Sequence, residues 1–235
     1  MITGRLLGIG VGPGDPELMT VKAVRYLRNA PVVAYVSANG RPSLAREIAA
    51  SHLPGGQREI NLALPMQPLP PLARAAYNEG AARIGAELEQ GRDVAVLCEG
   101  DPLFYGSFGQ ILARLSAYSA EVVPGVMSLS AAAAAARRPL VAGTESFLVM
   151  PATASAEQLR ARLGQSDAAA ILKLGRHLRK VRRVLGEIGL LERAIYVERA
   201  SGARERVMRL IDFDDDEEVP YFSLILLPRV ADVGL

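Results

Sequence analysis

The stretch LLGIGVGPGDP, residues 6–16, decides the fold class of this chain. Its first part, residues 6–11, is an apolar run that predicts a buried strand. Glycines at every second position from Gly8 to Gly14 leave no side chain where the chain comes off the strand, so another backbone or a ligand can approach closely. Their spacing differs from the dinucleotide-binding fingerprint. Asp15 can cap a helical turn that has Pro16 at its first position, and this succession of strand, turn and helix start is typical of α/β folds.

The remaining sequence continues to alternate short apolar runs with helical patterns. The last two predicted strands have no helix between them, and the acidic run at residues 212–218 predicts a solvated turn there. We therefore predict an α/β protein with two α/β domains: an N-terminal domain with a mostly parallel sheet, residues 1–120, and a C-terminal domain with a mixed sheet, residues 121–235. The predicted helices are residues 20–30, 43–53, 72–90, 108–115, 128–136, 156–163 and 176–188, and the predicted strands that follow residues 6–11 are 32–36, 93–98, 121–123, 146–150, 168–174, 194–199, 204–211 and 221–227.

The composition narrows the classes of function. Half of the 235 residues are hydrophobic, which is enough for a folded core. Lys and Arg total 27 and Asp and Glu total 25, and this balance does not favour a general nucleic-acid or membrane-surface binder. A single cysteine, Cys98, and two histidines predict no internal disulfide and no soft-metal site, so we expect a cytoplasmic protein without a bound metal. No segment has the pattern of a targeting signal or a membrane span.

A second loop, EGDPLFYGS at residues 99–107, follows the predicted strand at 93–98. Ligands of α/β proteins bind at the carboxyl ends of strands, and this loop places carboxylates there. A carboxylate can accept hydrogen bonds from a ribose diol or an amino group, and Phe104 can flank a flat ring. The alternative is a turn whose Asp101 caps a helix. Cys98, directly before the loop, is interpreted as a small buried hydrophobic residue.

Two more strand ends carry glycine turns. VPGVMS, residues 123–128, opens an alanine-rich helix, and its small residues allow either dense packing or an open pocket wall. LKLGR, residues 172–176, follows the predicted strand at 168–174. Each of the four loops is a weak signal when it is taken alone.

Taken together, the order GxGxGPGDP, EGDPxFYGS, VPGVxSxxAA and LKLGR resembles the tetrapyrrole methylase family. The resemblance covers nearly the whole chain. It implies S-adenosylmethionine as the methyl donor, S-adenosylhomocysteine as the product, an active-site trough between the two domains, and a homodimer. The opening LLGIGVGPGDPELMTVKAVRYL and the loop form EGDPLFYGSF are most similar to the branch that methylates precorrin-2 at C-20 to give precorrin-3A. The uroporphyrinogen-III branch tends to have a GGDPFIFGRG-like loop, from which this sequence departs.

The resemblance also implies which residues form the site. The family often has glycine near the last of the cofactor positions, where this chain reads VERAS, residues 197–201. No general base is identifiable, and the candidates near the loops are Asp15, Glu99, Asp101 and Tyr105. Candidates for binding the substrate and its eight carboxylates are Gly12 and Asp15, in the loop that shapes the trough, and Arg41, Arg46, Arg74 and Arg176. The implied cofactor contacts are Pro13, Gly100, Asp101, Phe104, Tyr105, Met127, Ser128, Leu174, Arg199 and Ala200.

Several alternatives stay open at this point. Within the family, the substrate could be uroporphyrinogen III, cobalt-precorrin-2 or a later precorrin. An RNA methyltransferase of the same fold would use basic surfaces such as residues 177–183, HLRKVRR, but the balanced charge argues against nucleic acid, and this stretch is interpreted as an exposed helix face. A non-catalytic nucleotide-binding module would use the glycine loops alone. The excess of 24 Arg over 3 Lys reflects either genome composition or a set of carboxylate-binding forks.

Overall fold

A computed structural model describes residues 3–38, 41–65, 70–214 and 217–229 of the chain. The chain divides into two compact units, Met1–Met127 and Ser128–Leu235. Among the described residues, the strands form two five-stranded sheets, one in each unit. No helix in these ranges is both long enough and apolar enough to cross a bilayer.

The sheet of the first unit is entirely parallel and has the strand order β3-β2-β4-β1-β5. This confirms the predicted parallel sheet. The two central strands are buried along their whole length, as expected of a parallel sheet that helices cover on both faces. The strands are β1 (Leu6–Gly10), β2 (Val32–Ala38), β3 (Arg58–Leu64), β4 (Val94–Cys98) and β5 (Ala120–Val123), and the helices are α1 (Val21–Asn29), α2 (Leu44–Ala49), α3 (Pro70–Glu89) and α4 (Phe108–Arg114).

Two hydrophobic layers hold this sheet between its helices. Side chains alternate along β1, so Leu6 packs with residues of α3 and α4 while Leu7 packs with residues of α1 and α2. Local signals set the helix starts: the side chain of Thr20 accepts a hydrogen bond from the backbone N–H of Ala23 at the start of α1. Alternating strand residues and capped amphipathic helices therefore produce the layered unit that the sequence predicts.

Strand β3 was missed by the sequence prediction. It lies at the edge of the sheet, and its exposure alternates, with Ile60 and Leu62 buried and Glu59, Asn61 and Ala63 exposed. Arg58 and Glu59 at its start gave the segment a polar appearance, although the period-two pattern was present.

The sheet of the second unit is mixed, with the strand order β6-β7-β10-β8-β9. Strands β6 and β7 are parallel, and β10 runs antiparallel to both β7 and β8. The mixed sheet confirms the predicted fold class. The strands are β6 (Phe147–Pro151), β7 (Ala168–Leu172), β8 (Ile195–Glu198), β9 (Arg206–Arg209) and β10 (Ser223–Leu227), and the helices are α5 (Ser128–Ala136), α6 (Ala156–Leu163) and α7 (Leu178–Glu187).

Two details of the predicted organisation need correction. The division between the units follows Met127, not residue 120, because β5 pairs with β1 and so belongs to the first sheet. The acidic run at 212–218 is not wholly a solvated turn, since Phe213 is buried and its ring lies 4.7 Å from that of Tyr196. Residues 215–216 of that run lie outside the described residues.

Candidate active site

Three of the predicted loops meet at the carboxyl edge of the first sheet, because β4, β1 and β5 are neighbours in it. Beyond the ends of β1 and β4, the two segments of the chain pair once more, in an antiparallel bridge between Gly12 and Gly100. The backbone N–H of Gly100 donates to the carbonyl of Gly12 at 2.8 Å, and the N–H of Val11 donates to the carbonyl of Cys98 at 2.9 Å. The first and second loops therefore continue the sheet beyond its regular ladder.

Glycines let the three loops pack backbone against backbone. A Cβ atom on Gly10 would lie 2.6 Å from the Cα of Gly125 and 2.7 Å from the carbonyl oxygen of Gly100. A Cβ atom on Gly125 would overlap the same carbonyl oxygen. Close contact between loops, rather than approach of a ligand, accounts for glycine at these positions. Gly8 serves helix packing, because its Cβ would meet the ring of Phe108 at 2.6 Å.

Asp101 ties the second loop to the third. Its Oδ2 accepts a hydrogen bond from the backbone N–H of Gly125 at 3.1 Å, and its Oδ1 accepts one from the N–H of Leu103 at 2.9 Å. The carboxylate thus holds together two chain segments that are 24 residues apart. The cofactor contact implied by the resemblance stays a prediction for Asp101, and the bonds that the structure shows are internal to the protein.

Phe104 and Tyr105 follow as an aromatic pair on the same loop. Their rings pack edge to face with centroids 5.1 Å apart, and Tyr105 is exposed. Tyr105 also has a φ of 56°, in the left-handed region that costs a non-glycine residue energy. Strain of this kind is found most often at functional sites, and it favours a role in binding for this loop.

Two carboxylates flank these loops. Glu99 directly follows β4, and its Oε1 accepts a hydrogen bond from the N–H of Ala45 at 3.2 Å, which fixes the start of α2 against the second loop. Burial raises the pKa of the Glu99 carboxyl above its ordinary value. Asp15 caps a short 3₁₀ turn, Pro16–Leu18, by accepting from the N–H of Glu17 at 2.8 Å, as the sequence predicted.

The other predicted residues of the first unit lie around the same loops. Pro13 and Met127 are both half-buried, one in the first loop and one at the end of the third. Cys98 is buried, and burial raises the pKa of its thiol to about 12, so the interpretation as a small hydrophobic residue is consistent with the structure. Ser128 is the first residue of α5 and so belongs to the second unit.

Two of the arginines predicted to bind the substrate, Arg41 and Arg46, have different surroundings in the structure. Arg41 is exposed in the segment that follows β2. The guanidinium of Arg46 already binds Glu59, with Nη2 2.8 Å from Oε1, and this contact lowers the pKa of the Glu59 carboxyl. Tyr35 donates a further hydrogen bond to the same carboxylate. Arg46 is therefore committed to a partner within the protein.

In the second unit, three of the predicted cofactor residues, Leu174, Arg199 and Ala200, lie at one end of the sheet. Strands β7 and β8 both oppose β10, so their carboxyl ends share the edge at which β10 begins. Leu174 follows β7 and Ala200 follows β8, and both are buried, whereas Arg199 is exposed. Lys173 has a φ of 60° and Arg199 a φ of 47°, so each strand leads into a left-handed residue. The sequence analysis predicted cofactor contacts at this end of the sheet, but it did not predict the left-handed backbone conformations found there.

Other predicted features have structural roles. The basic residues at 177–183 lie mainly on α7, where Lys180 donates to the carbonyl of Ala154 at 2.5 Å and Arg182 donates to that of Phe213 at 2.8 Å. Arg74 and Arg176 are exposed. Within the described ranges no three His, Cys, Asp or Glu side chains are grouped so that they could hold a metal ion.

The sequence analysis missed the exposed aromatic pair Tyr221 and Phe222. Both residues fell inside the predicted strand 221–227, whereas the strand in the structure begins only at Ser223.

The amino-acid sequence is similar to those of known proteins of cobalamin biosynthesis. The chain is 47% identical over 234 residues to the cobalamin biosynthesis protein CobIJ of Mycobacterium tuberculosis, a match that covers 96% of the chain but 46% of the relative. The chain thus spans about half the length of that relative. It is 42% identical over 238 residues to a precorrin-2 C(20)-methyltransferase of Sinorhizobium, and this match covers 97% of both chains.

A solved structure and a family model complete the comparison. The uroporphyrin-III C-methyltransferase of Thermus thermophilus, complexed with S-adenosylhomocysteine, superposes with a TM-score of 0.70 at 27% identity, covering 96% of this chain and 97% of that one. The model of the tetrapyrrole (corrin/porphyrin) methylases matches residues 5–210. With most of the sequence matched and the same two-sheet architecture, the chain belongs to the tetrapyrrole methylase family.

Proposed function

We propose that this protein is an S-adenosylmethionine-dependent C-methyltransferase of cobalamin biosynthesis that methylates precorrin-2 at C-20 to give precorrin-3A. The observation that carries the proposal is the full-length likeness to the precorrin-2 C(20)-methyltransferase of Sinorhizobium. The likeness to CobIJ is higher in identity but extends over only half of that protein, so it supports the pathway more than the single reaction.

The loops of the first unit suit a cofactor that carries both a flat ring and polar groups. The glycine contacts keep side chains away from the edge where the loops meet, and Phe104 and Tyr105 offer aromatic rings beside main-chain N–H and C=O groups. When bound, S-adenosylmethionine supplies an electrophilic methyl group on its sulfonium. We infer that the cofactor contacts of the first unit are Pro13, Gly100, Asp101, Phe104, Tyr105 and Met127. For the second unit, considered by itself, the proposed contacts are Ser128, Leu174, Arg199 and Ala200.

The protein's own part in the reaction would be positioning. Methyl transfer from a sulfonium to a nucleophilic carbon needs no covalent enzyme intermediate, so the residues bind, orient and exclude water. Replacing the C-20 hydrogen by a methyl group releases one proton, and Asp15, Glu99 and Tyr105 are the candidates to accept it. Among them, burial raises the pKa of Glu99 above its ordinary value, a shift that favours it as a proton acceptor.

The remaining parts of the proposal concern substrate binding and assembly. Arg41 is better placed than Arg46 to bind a substrate carboxylate, because Arg46 would first have to leave Glu59. Gly12 and Asp15 would shape the substrate side of the first loop. We further propose a cytoplasmic homodimer that binds neither nucleic acid nor membranes, and light scattering of the purified protein tests its oligomeric state.

Two measurements test the function. Isothermal titration with S-adenosylhomocysteine should give saturable binding, and its absence would remove every methyltransferase interpretation in favour of a nucleotide-binding module. Mass spectrometry after incubation with S-adenosylmethionine should then find one methyl group added to precorrin-2 and none added to uroporphyrinogen III. Selectivity for uroporphyrinogen III, cobalt-precorrin-2 or an RNA would replace the proposed substrate with that one.

A further inference from the structure

His52 links helix α2 to the first loop of the candidate site. It is the last residue of a 3₁₀ turn, Ala50–His52, that continues α2. Its ring nitrogen Nε2 lies 3.1 Å from the carbonyl oxygen of Pro16, the residue directly after Asp15. Because a carbonyl oxygen can only accept a hydrogen bond, Nε2 carries the hydrogen and donates it.

The imidazole reaches the first loop from a well-packed part of the unit. Ile48 of α2 is buried in the same hydrophobic layer as Met19, which directly follows the 3₁₀ turn of the first loop. At the start of α2, the N–H of Ala45 donates to the carboxylate of Glu99 at 3.2 Å. Packing and this hydrogen bond fix the helix, so the bond from His52 can pass that fixed position on to the loop.

The first loop is held at both of its ends. At one end, the N–H of Gly100 donates to the carbonyl of Gly12. At the other end, the carbonyl of Pro16 accepts from His52 and, at 3.2 Å, from the N–H of Met19. The bond from Met19 is internal to the turn, whereas the bond from His52 joins the turn to another element of the unit.

These two attachments act on different residues of the loop. Pro13, a proposed cofactor contact, directly follows Gly12 and so lies beside the bridge between the loops. Asp15, a candidate to bind the substrate or to accept its proton, directly precedes Pro16 and is half-buried. Loss of the bond from His52 should therefore displace Asp15 more than Pro13, and a small displacement of a positioned group is costly in rate.

We propose that His52 is a positioning residue for the methyl transfer, because its hydrogen bond to the carbonyl of Pro16 sets the place of Asp15 against the tetrapyrrole. The proposal rests on the proposed function. The imidazole acts through the main chain of the turn and not as a contact of substrate or cofactor. Its loss should therefore slow the reaction of the tetrapyrrole and leave the affinity for the cofactor unchanged.

Two substitutions separate the hydrogen bond from the volume of the ring. His52→Leu keeps an apolar side chain but has no donor, whereas the amide of His52→Gln keeps an N–H donor. His52→Leu should lower kcat/KM for precorrin-2 by at least about tenfold, and His52→Gln should stay within about threefold of wild type. Isothermal titration with S-adenosylhomocysteine should give the same Kd for all three proteins.

Stability and local hydrogen exchange show whether the effect passes through the turn. His52 is only half-buried, and the carbonyl of Pro16 keeps the N–H of Met19 as a donor, so circular dichroism should give His52→Leu an unchanged melting temperature. The amides of Leu18 and Met19 donate inside the turn, and their exchange should become at least about fivefold faster in His52→Leu but not in His52→Gln.

Gln57→Leu is the matched control. Nε2 of Gln57 donates to the carbonyls of Leu27 and Ala30, at 2.8 and 2.6 Å, so the variant also removes bonds from a side chain to the main chain. Gln57 directly precedes β3 and so lies at the amino edge of the sheet, opposite the loops. This variant should lower the melting temperature but keep kcat/KM within about twofold of wild type.

A double substitution tests the link to Asp15. When Asp15→Asn is present in both proteins, His52→Leu should change kcat/KM by less than about threefold, because the group that His52 positions has already been altered. An undiminished loss in that background would overturn the proposal, and so would equal losses in His52→Leu and His52→Gln or in His52→Leu and Gln57→Leu.

The remaining outcomes separate this proposal from the proposed function. A parallel loss of S-adenosylhomocysteine affinity in His52→Leu would assign the contact to the cofactor side of the loop and overturn the proposal. If the wild-type protein does not methylate precorrin-2, the proposed function fails by itself. The exchange of Leu18 and Met19 then still decides whether His52 holds the turn, and unchanged exchange in His52→Leu would show that it does not.

Discussion

Replacing Asp101 with alanine should weaken the first unit itself, because this carboxylate joins two of its loops. The substitution removes the acceptors of the Gly125 N–H at 3.1 Å and of the Leu103 N–H at 2.9 Å. The first donor is partly buried, so its lost charge-assisted bond costs about 1.5–3 kcal/mol. The second donor is exposed, and water replaces its partner at a cost of at most about 1 kcal/mol.

We therefore expect Asp101→Ala to lower the free energy of unfolding by about 2–4 kcal/mol in urea titrations. Hydrogen exchange should also lose protection at the Gly125 amide, which is the local reporter of the bond between the loops. Asp101→Asn keeps one acceptor oxygen and should lose roughly half as much stability. Glu79→Ala, an exposed carboxylate on α3, should change stability by no more than about 0.5 kcal/mol.

The contrary result is well defined. If Asp101→Ala unfolds like the wild-type protein and keeps protection at Gly125 while S-adenosylhomocysteine binding is lost, the carboxylate serves the ligand and not the loops. If both stability and binding fall, the effect on binding follows from loop displacement, and Asp101→Asn should recover both together.

Further changes test other parts of the structure. Gly125→Ala should lower the free energy of unfolding in urea by about 1–3 kcal/mol, because the added Cβ would overlap the carbonyl of Gly100. Gly109→Ala on α4, whose added Cβ would meet nothing within 4 Å, should raise that free energy by up to about 1 kcal/mol. Equal effects of the two substitutions would refute the close-packing argument. Burial raises the pKa of Glu99, so its contribution to stability is complete below its unfolded pKa of about 4.3 and is lost as the pH rises through the folded pKa. Glu99→Gln should therefore gain stability relative to wild type as the pH rises from 4 to about 8 in thermal melts, and a constant difference would contradict this. Ser155→Ala should cost about 1 kcal/mol in urea unfolding because it removes the capping box of α6, and an unchanged midpoint would argue against that cap.

Local signals in the sequence determined the elements and the fold class. The predicted helices at 128–136 and 156–163 have the same bounds as α5 and α6 in the structure. For α6 the reason is visible, since Ser155 and Gln158 form a capping box within four residues of each other. The alternation of buried strands and helices likewise needs only the neighbouring sequence, and it was enough to predict a parallel and a mixed sheet.

Only the tertiary structure decided how the loops are built and which side chains are already engaged. Gly10, Gly100 and Gly125 are far apart in sequence, and their shared contact exists only because β4, β1 and β5 are adjacent. The same holds for the bond from Gly125 to Asp101 and for the commitment of Arg46 to Glu59. Strand order and register are set by contacts between distant segments, and no local pattern of residue types encodes which segments will meet.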